Sequence, residues 1–259
     1  MDQDERRRHA TSFGAAAARY AQHRPDYALD AVRWALENAP GPRVLDLGAG
    51  TGKLTATLVS LGVDVVAVEP DTGMLTELRR ALPDVRSLPG SAEAIPLPDA
   101  SVDAVLAGNA MHWFDMAVAG PEIARVLAPE GVLVGMWNVV DDRIDWVAEL
   151  GRVAGDAAIG PRDVQSNWRV ATADMHLPKT GVDARFGSPE RAEFPHGQDR
   201  TVDSLIETLA TRAGMLVMPE REREATLERI RAFLVGRNDI PDGGFSLPML
   251  TGGLRVRRL

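Results

Sequence analysis

Three glycines at alternate positions, Gly48, Gly50 and Gly52, constrain this chain more than any other feature. The apolar run Val44-Leu45-Asp46-Leu47 leads straight into them. Lys53-Leu54-Thr55-Ala56-Thr57-Leu58-Val59 follows, with Leu54, Leu58 and Leu61 at helical spacing. The pattern is strand, glycine turn, helix. A chain leaving a buried parallel strand for a helix turns sharply there, and residues without side chains leave backbone bare for a ligand at the helix N-terminus. A ligand site is expected at this turn.

The spacing bears on which ligand. In the dinucleotide fingerprint G-x-G-x-x-G the third glycine lets the helix pack tightly on the strand, and here Lys53 occupies that position. A long cation fits poorly there. The next apolar run, Val63-Asp64-Val65-Val66-Ala67-Val68, closes on Glu69, seventeen residues past Gly52. An acid at that point can accept both hydroxyls of a ribose and repels a ribose 2′-phosphate, which argues against NADP. No Tyr-x-x-x-Lys proton relay is recognisable, yet an NAD-dependent Rossmann oxidoreductase stays as the alternative reading.

Further motifs follow in order: Glu69-Pro70-Asp71 with Met74; Gly90-Ser91-Ala92-Glu93-Ala94-Ile95-Pro96-Leu97-Pro98-Asp99; Ser101-Val102-Asp103-Ala104-Val105-Leu106-Ala107-Gly108; and Asn109-Ala110-Met111-His112-Trp113-Phe114. With Leu45-Asp46-Leu47-Gly48-Ala49-Gly50-Thr51-Gly52 they resemble the class I S-adenosylmethionine (SAM) dependent methyltransferases over roughly residues 10–140. Thr11-Ser12-Phe13 through Tyr20 and Arg24-Pro25-Asp26-Tyr27 is similar to the entrance segment of the small-molecule group related to trans-aconitate methyltransferases. The resemblance implies SAM as cofactor and assigns it Tyr20, Arg24, Asp46, Gly48, Ala49, Gly50, Gly52, Glu69, Pro70, Met74, Ser91, Ala92, Glu93 and Asn109. The adenine would lie between the Glu69 to Met74 turn and the Ser91-Ala92-Glu93 turn. Tyr20 and Arg24 would close over the cofactor, Arg24 near the methionine carboxylate, where a guanidinium forks well; the alternative is a surface arginine before a proline cap. Glu69 would hold the ribose rather than cap a helix. Asp46 would sit near the methionine amine or mainly hold the glycine turn.

Methyl transfer from a sulfonium is an in-line displacement, so the protein chiefly aligns the partners in a dry pocket. His112 and Trp113 are the candidate catalytic residues. A histidine titrating near neutrality suits a general base for an alcohol, phenol or amine, although His112 can equally shape the cofactor pocket. Trp113 and Phe114 would line the acceptor cavity or cap the sheet. The expected acceptor is a small molecule, methylated at a carboxylate or hydroxyl oxygen. A SAM-binding regulatory protein without turnover is the reading outside enzymology.

Composition narrows partners. The 259 residues carry a formal charge of −8 and a pI near 5.2, which offers no general attraction to nucleic acid or anionic membrane. With no cysteine, disulfides, thiol catalysis and thiolate zinc sites are excluded. The histidines lack metal-ligand spacing, and Asp141-Asp142 reads as a solvated loop rather than a magnesium site, so no metal is expected. No apolar run approaches the roughly 20 residues of a membrane span, and the charged N-terminus has no signal-peptide core. A cytoplasmic monomer or homodimer is the expectation.

Alternating strand and helix signals predict a Rossmann-like, doubly wound, seven-stranded, mostly parallel sheet. Strands are expected at about 43–47, 64–69, 85–88, 102–107 and 131–138, a sixth beginning near 192–196, and a last antiparallel one in two pieces, 245–249 and 254–258. The whole of 1–259 reads as one methyltransferase domain. Residues 10–138 are its SAM-binding core, 139–190 a helical lid insertion over the acceptor, and 191–259 the rest of the sheet and its helices. Trp168, His176 and His196 would either select the acceptor from the lid or serve structure.

Overall fold

The computed structural model describes residues 17–173, 185–238, 240–241 and 243–259. Met175 and His176 lie outside the described residues. Strands β1 (Arg43–Leu47), β2 (Asp64–Glu69), β3 (Arg86–Pro89), β4 (Val102–Gly108), β5 (Leu127–Val140), β6 (Glu190–Arg200) and β7 (Phe245–Arg257) form one sheet in the order β3-β2-β1-β4-β5-β7-β6. The first five pair in parallel, with Val44 opposite both Val65 and Ala104. Against β5, β7 runs antiparallel: Arg258 N donates to Gly131 O and Asp141 N to Pro248 O, so partner numbers fall as β5 rises. The expected mixed seven-stranded architecture is present.

Two boundaries differ from expectation for one physical reason. Gly131 and Gly253, expected at the ends of strands, serve close packing inside them. β5 begins at Leu127, before Pro129-Glu130-Gly131, with Glu130 in the left-handed region at φ 64°. β7 runs unbroken through Gly252-Gly253, because a Cβ on Gly253 would stand 2.7 Å from the Trp34 ring.

The chain divides into two compact units. One comprises the described parts of 26–137, 172–194 and 251–259. Its core sets Val44, Val65, Ala104, Leu106, Val132 and Val134 of the sheet against Leu54 and Leu58 of helix α3 (Lys53–Ser60) and Ala31, Val32 and Ala35 of helix α2 (Leu29–Leu36). Each fully buried leucine contributes about 1.5–3 kcal/mol. Arg125, on helix α5 (Met116–Val126), holds the loop after β3: its guanidinium donates to Ile95 O, Leu97 O, Asp99 and Glu122, while Glu122 accepts from Ile95 N.

The other unit takes the described parts of 1–25, 138–171 and 195–250. Its helices α6 (Asp145–Ala154), α8 (Val202–Ala210) and α10 (Glu220–Val235) bury Val147, Leu150, Leu205, Leu209, Ile230 and Leu234. Thr201 and Ser204 form a reciprocal capping box at the start of α8. The first described helix, α1 (Ala17–His23), is tied to α8 by Thr208 Oγ1 donating to His23 O at 2.8 Å. Of the segment 139–190 expected as a lid, the described residues up to 171 belong to this unit and those from 172 on to the first.

Candidate active site

The three glycines do different work, although all have positive φ: 71° at Gly48, 57° at Gly50 and 89° at Gly52. A Cβ on Gly48 would sit 2.7 Å from Ala110 Cβ, so this glycine lets the segment after β4 lie on the turn. A Cβ on Gly52 would meet Leu78 at 3.1 Å and Leu82 at 3.2 Å, so it lets helix α4 (Thr72–Ala81) approach. A Cβ on Gly50 would meet nothing within 4 Å. Gly50 therefore presents backbone to open space, as a ligand requires.

Glu69 closes β2, only 7% exposed, and clips two loops together. Its Oε2 accepts from Gly50 N at 2.8 Å and its Oε1 from Asp71 N at 2.9 Å. Each oxygen keeps a second lone pair, so both can still accept from ligand hydroxyls. Burial pushes its carboxyl above the ordinary range, opposed by the N–H groups of Asp71 and Gly50. Glu69 is not the helix cap; that is Asp71, which accepts from Met74 N at 2.9 Å at the start of α4. Pro70 is exposed beside it, and the Met74 side chain is buried.

Asp46 is 1% exposed and points from β1 to α3, where its Oδ2 accepts from Thr55 Oγ1 at 2.6 Å. Its Oδ1 is buried with no partner among the described residues, and so is the Thr51 hydroxyl within the turn. Burial raises the Asp46 carboxyl to about 7, with the Glu69 charge adding and the Thr55 hydroxyl and N–H opposing. Thr51 and Thr55 were missed in the sequence; the available signal was a hydroxyl one helical turn past three glycines. Ala49 is buried, and its N–H donates to Val68 O.

At the end of β3, Ser91 bridges Ala94 across a tight turn with Ala92 buried. Glu93 Oε1 accepts from Asp115 N at 2.9 Å, joining this turn to the segment after β4. In that segment Asn109 has φ 50° and donates its N–H to Met136 O. Met111–Trp113 form a single 3-10 turn, and Asp115 caps α5 by accepting from Ala117 N. The turn presents His112 and Trp113, both half-buried, with ring centroids 4.7 Å apart.

The first unit thus brings together Asp46 to Gly52, Glu69 to Met74, Ser91 to Glu93 and Asn109 to Trp113. Tyr20 and Arg24 belong to the second unit. Tyr20 lies in α1, its side chain outside the described residues; Arg24 is 8% exposed and donates from Nη2 to Thr211 O at 3.1 Å. Trp168 is fully buried and His196 half-buried on β6. Among the described residues, no group of three or more His, Asp or Glu is placed to hold a metal. Nor is any helix there long and apolar enough to cross a membrane.

Residues 45–135, which carry the motifs from Asp46 to Trp113, match the model of a methyltransferase domain. An uncharacterized methyltransferase of Mycobacterium tuberculosis is 43% identical over 252 residues, 97% of each chain. This chain belongs to the class I methyltransferase family. The malonyl-[acyl-carrier protein] O-methyltransferase of Methylococcus capsulatus is 33% identical over 200 residues, 71% of this chain and 70% of that one. A solved structure of a type II methyltransferase, so named provisionally, from Anaeromyxobacter dehalogenans superposes with a TM-score of 0.62 at 26% identity, covering 90% of this methyltransferase and 96% of that chain. The cofactor of this methyltransferase is SAM, and the site fits it: open space over Gly50, an acid with lone pairs to spare at the end of β2, and the unmatched Asp46 Oδ1.

Proposed function

We propose that this methyltransferase methylates an oxygen of a small-molecule acceptor, a carboxylate or a hydroxyl. The observation that carries the proposal is the His112-Trp113 turn, half-buried and next to the residue that packs on Gly48. The reading is supported by the likeness to an O-methyltransferase over more than two thirds of both chains.

SAM supplies an activated methyl group when bound. In this reading Glu69 would accept from the ribose hydroxyls, the bare backbone at Gly50 would lie against the ligand, and Asp46 would face the methionine ammonium. Pro70 and Met74 on one side, and Ser91, Ala92 and Glu93 on the other, would flank the adenine. Asn109 would hold the start of the segment beneath the methionine end. Trp113 excludes water from the transfer path, which strengthens alignment and dries the nucleophile. A carboxylate acceptor is already ionised at neutral pH and needs no base. A hydroxyl acceptor gives its proton to His112.

Turnover with methyl-labelled SAM against panels of small carboxylic acids, phenols, alcohols and amines tests this. Label should enter acids or hydroxyl compounds, with acid products releasing methanol in mild base. Label confined to amines overturns O-methylation. For a hydroxyl acceptor, His112→Ala should lower kcat about 100-fold; for an acid it should change kcat little.

A further inference from the structure

The contact between Asp46 and Thr55 carries an inference independent of the acceptor. We propose that Thr55 is a positioning residue for the cofactor: its hydroxyl holds one oxygen of Asp46 so that the other is left for the ligand's ammonium, and Asp46 surrenders a proton when the cofactor binds.

Asp46 is the last polar residue before the glycine turn, and its two oxygens differ. Oδ2 is bonded to Thr55 Oγ1 at 2.6 Å, whereas Oδ1 is buried with no partner among the described residues. Thr55 is itself fully buried, so no water competes for its hydroxyl. A buried carboxylate with one oxygen unmatched is costly unless it is neutral or meets a cation.

Among the described residues, the surroundings of Asp46 do not supply that cation. From α3, Thr55 offers its hydroxyl and N–H. The Lys53 ammonium on the same helix pairs with Asp26 at 3.2 Å. From β2 the influential charge is Glu69, an acid, and the neighbours on the strands are Ala67 and Leu106. Burial and this second acid favour the protonated form, consistent with a carboxyl raised to about 7. An ammonium brought to Oδ1 reverses the preference. The proton leaves to solvent, and the carboxylate keeps the Thr55 hydrogen bond while gaining the ion pair.

Titration calorimetry with S-adenosylhomocysteine tests this, from pH 5.5 to 8 in buffers of differing ionisation heat so that protons are counted. The wild-type protein should release close to one proton per ligand near pH 6, and its affinity should rise about tenfold per pH unit below about 7, levelling above. Thr55→Val removes the hydroxyl that favours the charged form. It should shift the affinity profile upward by about one pH unit and weaken binding at pH 7 several-fold, with the loss shrinking toward pH 8. Thr55→Ser should restore the wild-type profile. Asp46→Asn should bind weakly and release about one proton fewer. The proposal is overturned if the wild type releases no proton, a result that needs no variant to fold. It is also overturned if Thr55→Val loses affinity by one factor at every pH, as a purely structural residue would.

Discussion

Exchanging the glycines of the turn one at a time separates ligand contact from packing. Alanine at φ near +60° costs about 1–2 kcal/mol in backbone strain at any of the three positions. At Gly50 that is the whole cost to folding, because the new methyl would meet nothing within 4 Å. At Gly48 the methyl would stand 2.7 Å from Ala110 Cβ, so overpacking of about 1–3 kcal/mol is added to the strain. In a domain of this size those costs correspond to losses of about 5 °C for Gly50→Ala and about 10 °C for Gly48→Ala. Ligand binding should rank them the other way. Gly50→Ala puts its methyl into the open space proposed for the cofactor and should weaken S-adenosylhomocysteine at least about tenfold, or 1.4 kcal/mol. Adding Ala110→Gly to Gly48→Ala should recover the packing part alone, since the two sites share that contact. Thermal unfolding of the ligand-free proteins and calorimetric titration supply the two scales. If Gly50→Ala bound the ligand normally, or melted as low as Gly48→Ala, the division of labour within the turn would be wrong.

Three other perturbations follow from the same geometry. Glu69→Ala leaves the N–H groups of Gly50 and Asp71 without their acceptor, so it should cost about 1–3 kcal/mol in unfolding experiments and weaken the cofactor tenfold or more by titration. Asp46 holds its proton to about 7 when folded and to 3.8 when unfolded. Between those values the folded state binds more protons, so this group's contribution to stability falls as pH rises. The melting temperature of Asp46→Asn relative to wild type should therefore climb from pH 4.5 to 7.5, and a constant difference would refute the assignment. Asp103→Asn breaks the fork in which Asp103 accepts from Arg43 N, Nε and Nη2, which holds its carboxyl below the usual range. Arg43 is half-exposed and screened by solvent, so the variant should be modestly destabilised at pH 7. That stabilisation is present above the unfolded pKa and is lost as pH falls through the lower folded one, so chemical denaturation should show the variant's deficit shrinking below pH 4.

How far the fold could be read depended on how local the determinant was. Strands β1, β2 and β4 are buried between layers, so they appear as short apolar runs, and their bounds agree with expectation within a residue. β7 was split at Gly252-Gly253 because glycine in a strand reads as a break. The reason these residues stay in one strand is Trp34, more than 200 positions earlier, whose ring fills the space a side chain would need. Nothing in residues 245–258 announces that ring. Likewise Pro129-Glu130-Gly131 carries the composition of a turn, yet it lies within β5, where Gly131 has no room for a Cβ beside Ala128 O.

The same distinction runs through the site. That glycines stand at 48, 50 and 52 and an acid at 69 could be read, because one turn and one strand end sufficed to imply them. Which glycine leaves open space could not be read, since Gly48 is occupied by Ala110 from beyond β4 and Gly52 by Leu78 and Leu82 around α4. Asp46 and Thr55 show the intermediate case. They are nine residues apart, close enough to meet across strand and helix, but Thr55 sits in a run whose apolar periodicity already accounts for it as a core residue. A hydroxyl on the buried side of that periodic run was the overlooked signal. A valine there would satisfy the pattern equally well, so threonine at 55 is explained by the carboxyl it touches rather than by the helix that carries it.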